Sequence, residues 1–137
     1  MIISSINTYF RFLLFFLLAS FVFTSCQVMV DPKNDSTITA EYQVNTLVGI
    51  VETDLDTAFR ASIAALDTIG YFRTGEIPGE NNIMIHARKV GDQKIYVQVF
   101  EISEEQSEIR IRIGLIGNLP ESQAILAKIQ DFLEMSL

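Results

Sequence analysis

The chain is short of the residues that cross-link, ligate and catalyse. Of its 137 residues one is cysteine, Cys26, and one is histidine, His86. A lone cysteine leaves no partner for an intrachain disulfide, so an oxidising compartment would not stabilise this fold by cross-linking. His86 has no second histidine or nearby cysteine at metal-ligand spacing and reads as a surface histidine. No serine stands in a G-x-S-x-G elbow, and no Gly-rich phosphate loop is present. The acids form no convincing pair, because Glu104 and Glu105 fall in a turn while Asp54 and Asp56 suit a helix start. Basic residues are also scarce, with 10 Lys and Arg against 17 Asp and Glu and a net charge of −7. Without a Lys/Arg-rich cluster such a chain is a poor binder of nucleic acid. It is repelled by anionic head groups unless a local patch reverses the sign. These absences argue against an enzyme and call for no metal or cofactor.

What the chain does have begins at its N-terminus. Arg11 precedes an apolar run from Phe12 to Phe23, and Thr24-Ser25-Cys26 follows. The run has the length of a signal-peptide h-region, whereas a membrane-spanning helix needs roughly 20 apolar residues. Phe23-Thr24-Ser25-Cys26 resembles the lipobox of bacterial lipoproteins, whose usual form is Leu-Ala-Gly-Cys. Residues 1–25 are therefore expected to be a lipoprotein signal peptide, with Cys26 as the acylated first residue of the mature chain. The alternatives are a plain secretory signal with a chance cysteine, or an uncleaved anchor. A cysteine is needed because its thiolate is the nucleophile that takes up the diacylglyceryl group. Each buried methylene of a chain such as palmitate contributes about 0.8 kcal/mol, and stable anchoring takes more than one chain. Two or three chains on Cys26 would meet that condition and make the membrane the first partner.

Residues 26–38 contain Pro32, Asn34, Asp35 and Ser36 without a sustained period and read as an extended, mobile tether. Gln27 follows the cysteine where an Asp would favour retention in an inner membrane. The expected location is thus an outer membrane facing the periplasm, or the plasma membrane in an organism without an outer one.

Residues 39–137 are long enough for one domain. Thr39 to Thr53 is rich in β-branched residues, and its second half is expected to be a strand. Gly49 inside it marks a bulge or close packing against a helix. Asp54 suits an N-cap and Gly70 a C′ residue. Between them Leu55, Ala58, Phe59, Ser62, Ile63, Leu66 and Ile69 fall on one helical face, with Phe59 read as core. Tyr71 to Glu76 is a short strand, and Pro78-Gly79 a turn. Ile83, Ile85 and Ala87, then Ile95, Val97 and Val99, then Ile109, Ile111 and Ile113 alternate with polar residues across short turns. Such a pattern describes an antiparallel meander with one buried face. A last helix starts near Asn118, with Glu121 at capping-box spacing and an apolar stripe of Ser122, Ile125, Leu126, Ile129, Phe132 and Leu133. The expected class is α+β, in the order β-α-β-β-β-β-α, with both helices on one face of an antiparallel sheet.

This order behind a lipoprotein signal resembles a family of small bacterial lipoproteins catalogued only as a domain of unknown function. The resemblance lies in Asp54 to Phe59 running on to Leu66 to Gly70, in His86 to Ile95, and in Glu108 to Gly114 leading into Asn118. It covers most of the mature chain and implies location and architecture, with no catalytic residues to carry over.

If the meander pairs as neighbours, its outward face carries Met84, His86 and Arg88, then Tyr96, Gln98 and Phe100, then Arg110 and Arg112. Arg88, Tyr96, Phe100, Arg110 and Arg112 form the candidate binding face, because arginine and aromatic side chains combine large contact area with directed bonds. The plainer alternative is a solvated face stabilised by pairs of Arg110 or Arg112 with Glu101 or Glu108. The expected role is a non-catalytic accessory or adaptor subunit in envelope maintenance or assembly, with an envelope protein as partner. The alternative is a binding module for a small anionic ligand or an envelope polymer.

Overall fold

The computed structural model describes residues 28–30 and 39–136, so the expected signal peptide, Cys26 and most of the expected tether lie outside the described residues. Among the described residues seven strands and two helices follow in chain order. They are β1 (Val28–Val30), β2 (Thr39–Gln43), β3 (Thr46–Val51), α1 (Leu55–Ile69), β4 (Phe72–Pro78), β5 (Asn82–Lys89), β6 (Gln93–Ser103), β7 (Gln106–Ile113) and α2 (Leu119–Ser136). The strands form one sheet in the order β1-β2-β3-β7-β6-β5-β4, and every neighbouring pair is antiparallel. Helix α1 carries the chain from β3 to the far edge. The β4 to β7 meander then returns to close against β3. The fold is the expected α+β class.

The alternating pattern decides the layers. Ile85, Ala87, Ile95, Val97, Val99, Ile109, Ile111 and Ile113 are all buried, and with Leu47 and Val51 they floor a core roofed by the two helices. Asp54 caps α1, its carboxylate accepting from the Thr57 amide at 3.0 Å. Gly70 ends the helix at φ 88, and the Gly70 and Tyr71 amides both donate to the Leu66 carbonyl, a left-handed closure that glycine adopts without a Cβ penalty. Gly49 meets α2 closely, since a Cβ there would lie 2.9 Å from Leu126 Cδ2. Of its two readings, close helix packing is the one realised. The Asn118 carboxamide caps α2 by accepting from the Glu121 amide at 3.2 Å.

Three expectations need correction. The stretch from Thr39 is a hairpin, because Val44 and Asn45 turn the chain with φ of 39 and 65, the two positive values a tight two-residue turn demands. Val28–Val30, read as tether, pairs with β2 as an edge strand. The buried arc of α1 is also rotated. Ala61 and Ala65 are buried along with Ala58, Ser62 and Leu66, whereas Phe59 is only partly buried and Ile69 is 36% exposed. Helix α1 packs on α2 as well as on the sheet, so its buried arc is wider than one sheet-facing stripe and takes in the small Ala61 and Ala65, with Phe59 partly buried against the core.

Candidate functional site

Both helices lie on the core side, so the other face of the central sheet is left uncovered by them. Strand register sets its side chains in rows. His86, Tyr96 and Arg112 stand in line across β5, β6 and β7. Met84, Gln98 and Arg110 form the next row, and Asn82, Phe100 and Glu108 the one after. The five candidate residues are thus all outward, with partners that separate them into groups.

Phe100 and Arg110 meet diagonally, the guanidinium carbon 4.3 Å from the ring centroid. Arg110 Nε also donates to Glu108 Oε1 at 2.5 Å, a pair within one strand where cross-strand pairs are the expected form. The Tyr96 and His86 rings stand nearly perpendicular, centroids 5.1 Å apart, and His86 Nε2 lies 3.1 Å from Met84 Sδ. His86 is thus occupied by sheet neighbours, and among the described residues no group of three or more His, Cys, Asp or Glu side chains is placed to hold a metal ion. Arg112 donates to the Leu115 carbonyl at 3.3 Å and has no carboxylate partner among the described residues. Arg88 turns away from the rows to pair with Asp92 in the next turn. Tyr96, Arg110 and Arg112 therefore come together with Thr46, Met84 and Gln98 around a shallow groove of about 380 Å³, with Phe100 beneath Arg110 at its margin. A guanidinium fork beside aromatic rings suits a planar or anionic acceptor, such as a carboxylate or phosphate.

A second polar cluster was only partly visible in the sequence. Glu121, expected as a capping residue, accepts from the Tyr71 hydroxyl at 2.5 Å, from Lys89 Nζ at 2.8 Å and from Asn118 Nδ2 at 2.9 Å. Burial of its carboxyl opposes ionisation, but the bonds from Lys89 and Tyr71 outweigh it and hold Glu121 below the usual carboxylate range. Burial and the Glu121 carboxylate push the Tyr71 hydroxyl well above its ordinary value. The cluster ties the start of α2 to α1, β4 and β5, and its role is structural.

These observations define a two-layer α+β domain with one sheet face left open by its helices. The chain belongs to the family described as a protein of unknown function (DUF3568), whose model matches residues 10–132. No curated protein matches the chain. No helix among the described residues is long and apolar enough to cross a membrane.

Proposed function

We propose that this chain is a lipid-anchored envelope protein, acylated at Cys26 on the periplasmic side of an outer membrane. In this reading it acts without catalysis, as an accessory or adaptor subunit that captures a protein partner on its open sheet face. The observation that carries the reading is the Arg112 guanidinium, free of any carboxylate among the described residues and set beside Tyr96 and the stacked Arg110–Phe100 pair. The groove between them favours a second reading, capture of a small anionic ligand or envelope polymer. Crosslinking in intact membranes separates the two. A stoichiometric protein partner supports the adaptor, whereas a ligand-induced rise in melting temperature without one supports the binder.

Two outcomes are expected. Cys26→Ala abolishes incorporation of labelled palmitate and releases the protein from the membrane fraction. An unlabelled, soluble wild type would overturn the anchor. Arg110→Gln with Arg112→Gln removes partner or ligand capture while stability falls by about 1 kcal/mol or less, the scale of an exposed ion pair. Undiminished capture by the folded double variant would retire the face.

A further inference from the structure

The four most exposed large apolar side chains among the described residues are Val90 (99%), Val44 (93%), Leu115 (84%) and Ile116 (83%). They come from three separate connections, between β5 and β6, between β2 and β3, and between β7 and α2. Register brings these loops to one end of the sheet. Gln43 pairs with Thr46 and Lys89 with Gln93 to close the two hairpins, and β7 finishes at Ile113 opposite Ile95. The Gly114 amide donates to the Lys94 carbonyl at 2.8 Å. Asn45 Nδ2 reaches the Leu115 carbonyl at 3.5 Å. The tips therefore form a row across the end of the sheet rather than one contiguous patch.

Val44 adds an independent sign. It is β-branched yet holds φ 39, a left-handed conformation that is a costly outlier for such a residue and easy for asparagine or glycine. Neither packing nor turn geometry accounts for a valine there, and strain of this kind points to a use outside the fold. Charge is sorted along the same axis. Arg88, Lys89, Lys94 and Arg112 stand at the apolar end, where Arg88 pairs with Asp92 and Lys89 with Glu121, while Glu52, Asp54, Glu80, Glu104 and Glu105 occupy the loops of the opposite end. The repulsion implied by net charge is thus concentrated away from the tips. Lys94 has no ion-pair partner among the described residues.

The geometry points to this end as a docking surface for an anionic lipid bilayer, with the apolar tips among the head groups and Lys94 on their phosphates. Separate apolar tips among cations suit a fluid interface that each can enter alone. The chain's own path agrees. Val28 pairs with Tyr42 and Val30 with Ala40, so β1 begins at the same end, and Cys26 precedes Val28 by two residues, a reach of roughly 7 Å at most. This orienting step rests on the lipid-anchor reading; the surface itself does not. With the tips down, the strands would rise from the bilayer and the open sheet face would look sideways, accessible to a partner.

The test uses the full chain with Leu115→Cys or, at the opposite end, Glu104→Cys, each labelled with an environment-sensitive fluorophore. The acylated Cys26 would not compete for label. The protein is reconstituted into phosphatidylethanolamine vesicles containing phosphatidylglycerol and spin-labelled lipid, and palmitate incorporation is followed in parallel. Selective blue shift and lipid quenching at Leu115→Cys are expected. Adding Lys94→Gln should lower the docked-to-undocked ratio by roughly fivefold, the effect of one interfacial cation. Val44→Asn should reduce quenching while raising the melting temperature, whereas a merely structural residue would move only the latter. Palmitate incorporation with equal quenching at both probes would overturn the surface and leave the anchor standing. Selective quenching without palmitate would support the surface and overturn the anchor. A Leu115→Cys probe that crosslinks to protein and escapes lipid quenching would assign this end to a protein partner and overturn the proposal.

Discussion

Replacing Ile111 by alanine is expected to lower the unfolding free energy by about 2–5 kcal/mol, whereas Arg112→Ala, one residue on, costs about 0.5 kcal/mol or less. Ile111 is fully buried on β7, in the middle of the sheet, and pairs in register with buried Leu47 on one side and buried Val97 on the other. A cavity there is walled by two neighbouring strands, so it cannot collapse by moving a loop. Arg112 is exposed and gives up one bond to the Leu115 carbonyl. Chemical denaturation midpoints for the two variants measure the difference. Equal midpoints would mean that the inward and outward sets of the meander are exchanged.

Alternation is what made the meander readable from the residues alone. With a side-chain period of two, the isoleucines of β7 leave Arg110 and Arg112 no place except the opposite face. The hairpin at Val44 escaped because a left-handed turn normally advertises itself with glycine or asparagine at both central positions, and only Asn45 does so. The α1 arc was misplaced for a different reason. Alanine is indifferent in a hydrophobic periodicity, so Ala61 and Ala65 gave no sign that they belong to the buried arc.

The candidate face was legible as a set of outward residues and illegible as a site. The diagonal meeting of Arg110 with Phe100, and the turning of Arg88 onto Asp92, follow from register and rotamers that no spacing encodes. Likewise the capping role of Glu121 could be read from Asn118, three residues away. Its bonds from Lys89 and Tyr71 span 32 and 50 residues and exist only once α1, β4 and β5 have assembled.

Gly117→Ala is expected to destabilise the domain by more than Gly70→Ala, and the comparison separates two costs. Both glycines hold left-handed φ, 75 and 88, which carries a penalty of roughly 1–2 kcal/mol for an L side chain. A Cβ on Gly70 would meet nothing within 4 Å, so its variant reports the backbone cost alone. A Cβ on Gly117 would be driven against the Tyr42 hydroxyl and would stand 2.6 Å from the Asn45 carbonyl oxygen. The Tyr42 side chain can swing aside, but the Asn45 backbone belongs to the tight turn between β2 and β3 and cannot move without opening it. Overpacking of this kind adds about 1–3 kcal/mol, so the Gly117 variant should unfold at a visibly lower denaturant midpoint than the Gly70 variant. Gly117 also seats the connection between β7 and α2 against that turn, which is what holds the Leu115 and Ile116 tip next to the β2–β3 turn. The same variant should therefore displace the apolar tips, seen as altered fluorescence of a probe at Leu115→Cys even in lipid-free solution. If Gly117→Ala and Gly70→Ala unfold together and leave that probe unchanged, the contact with Asn45 does not hold the loop.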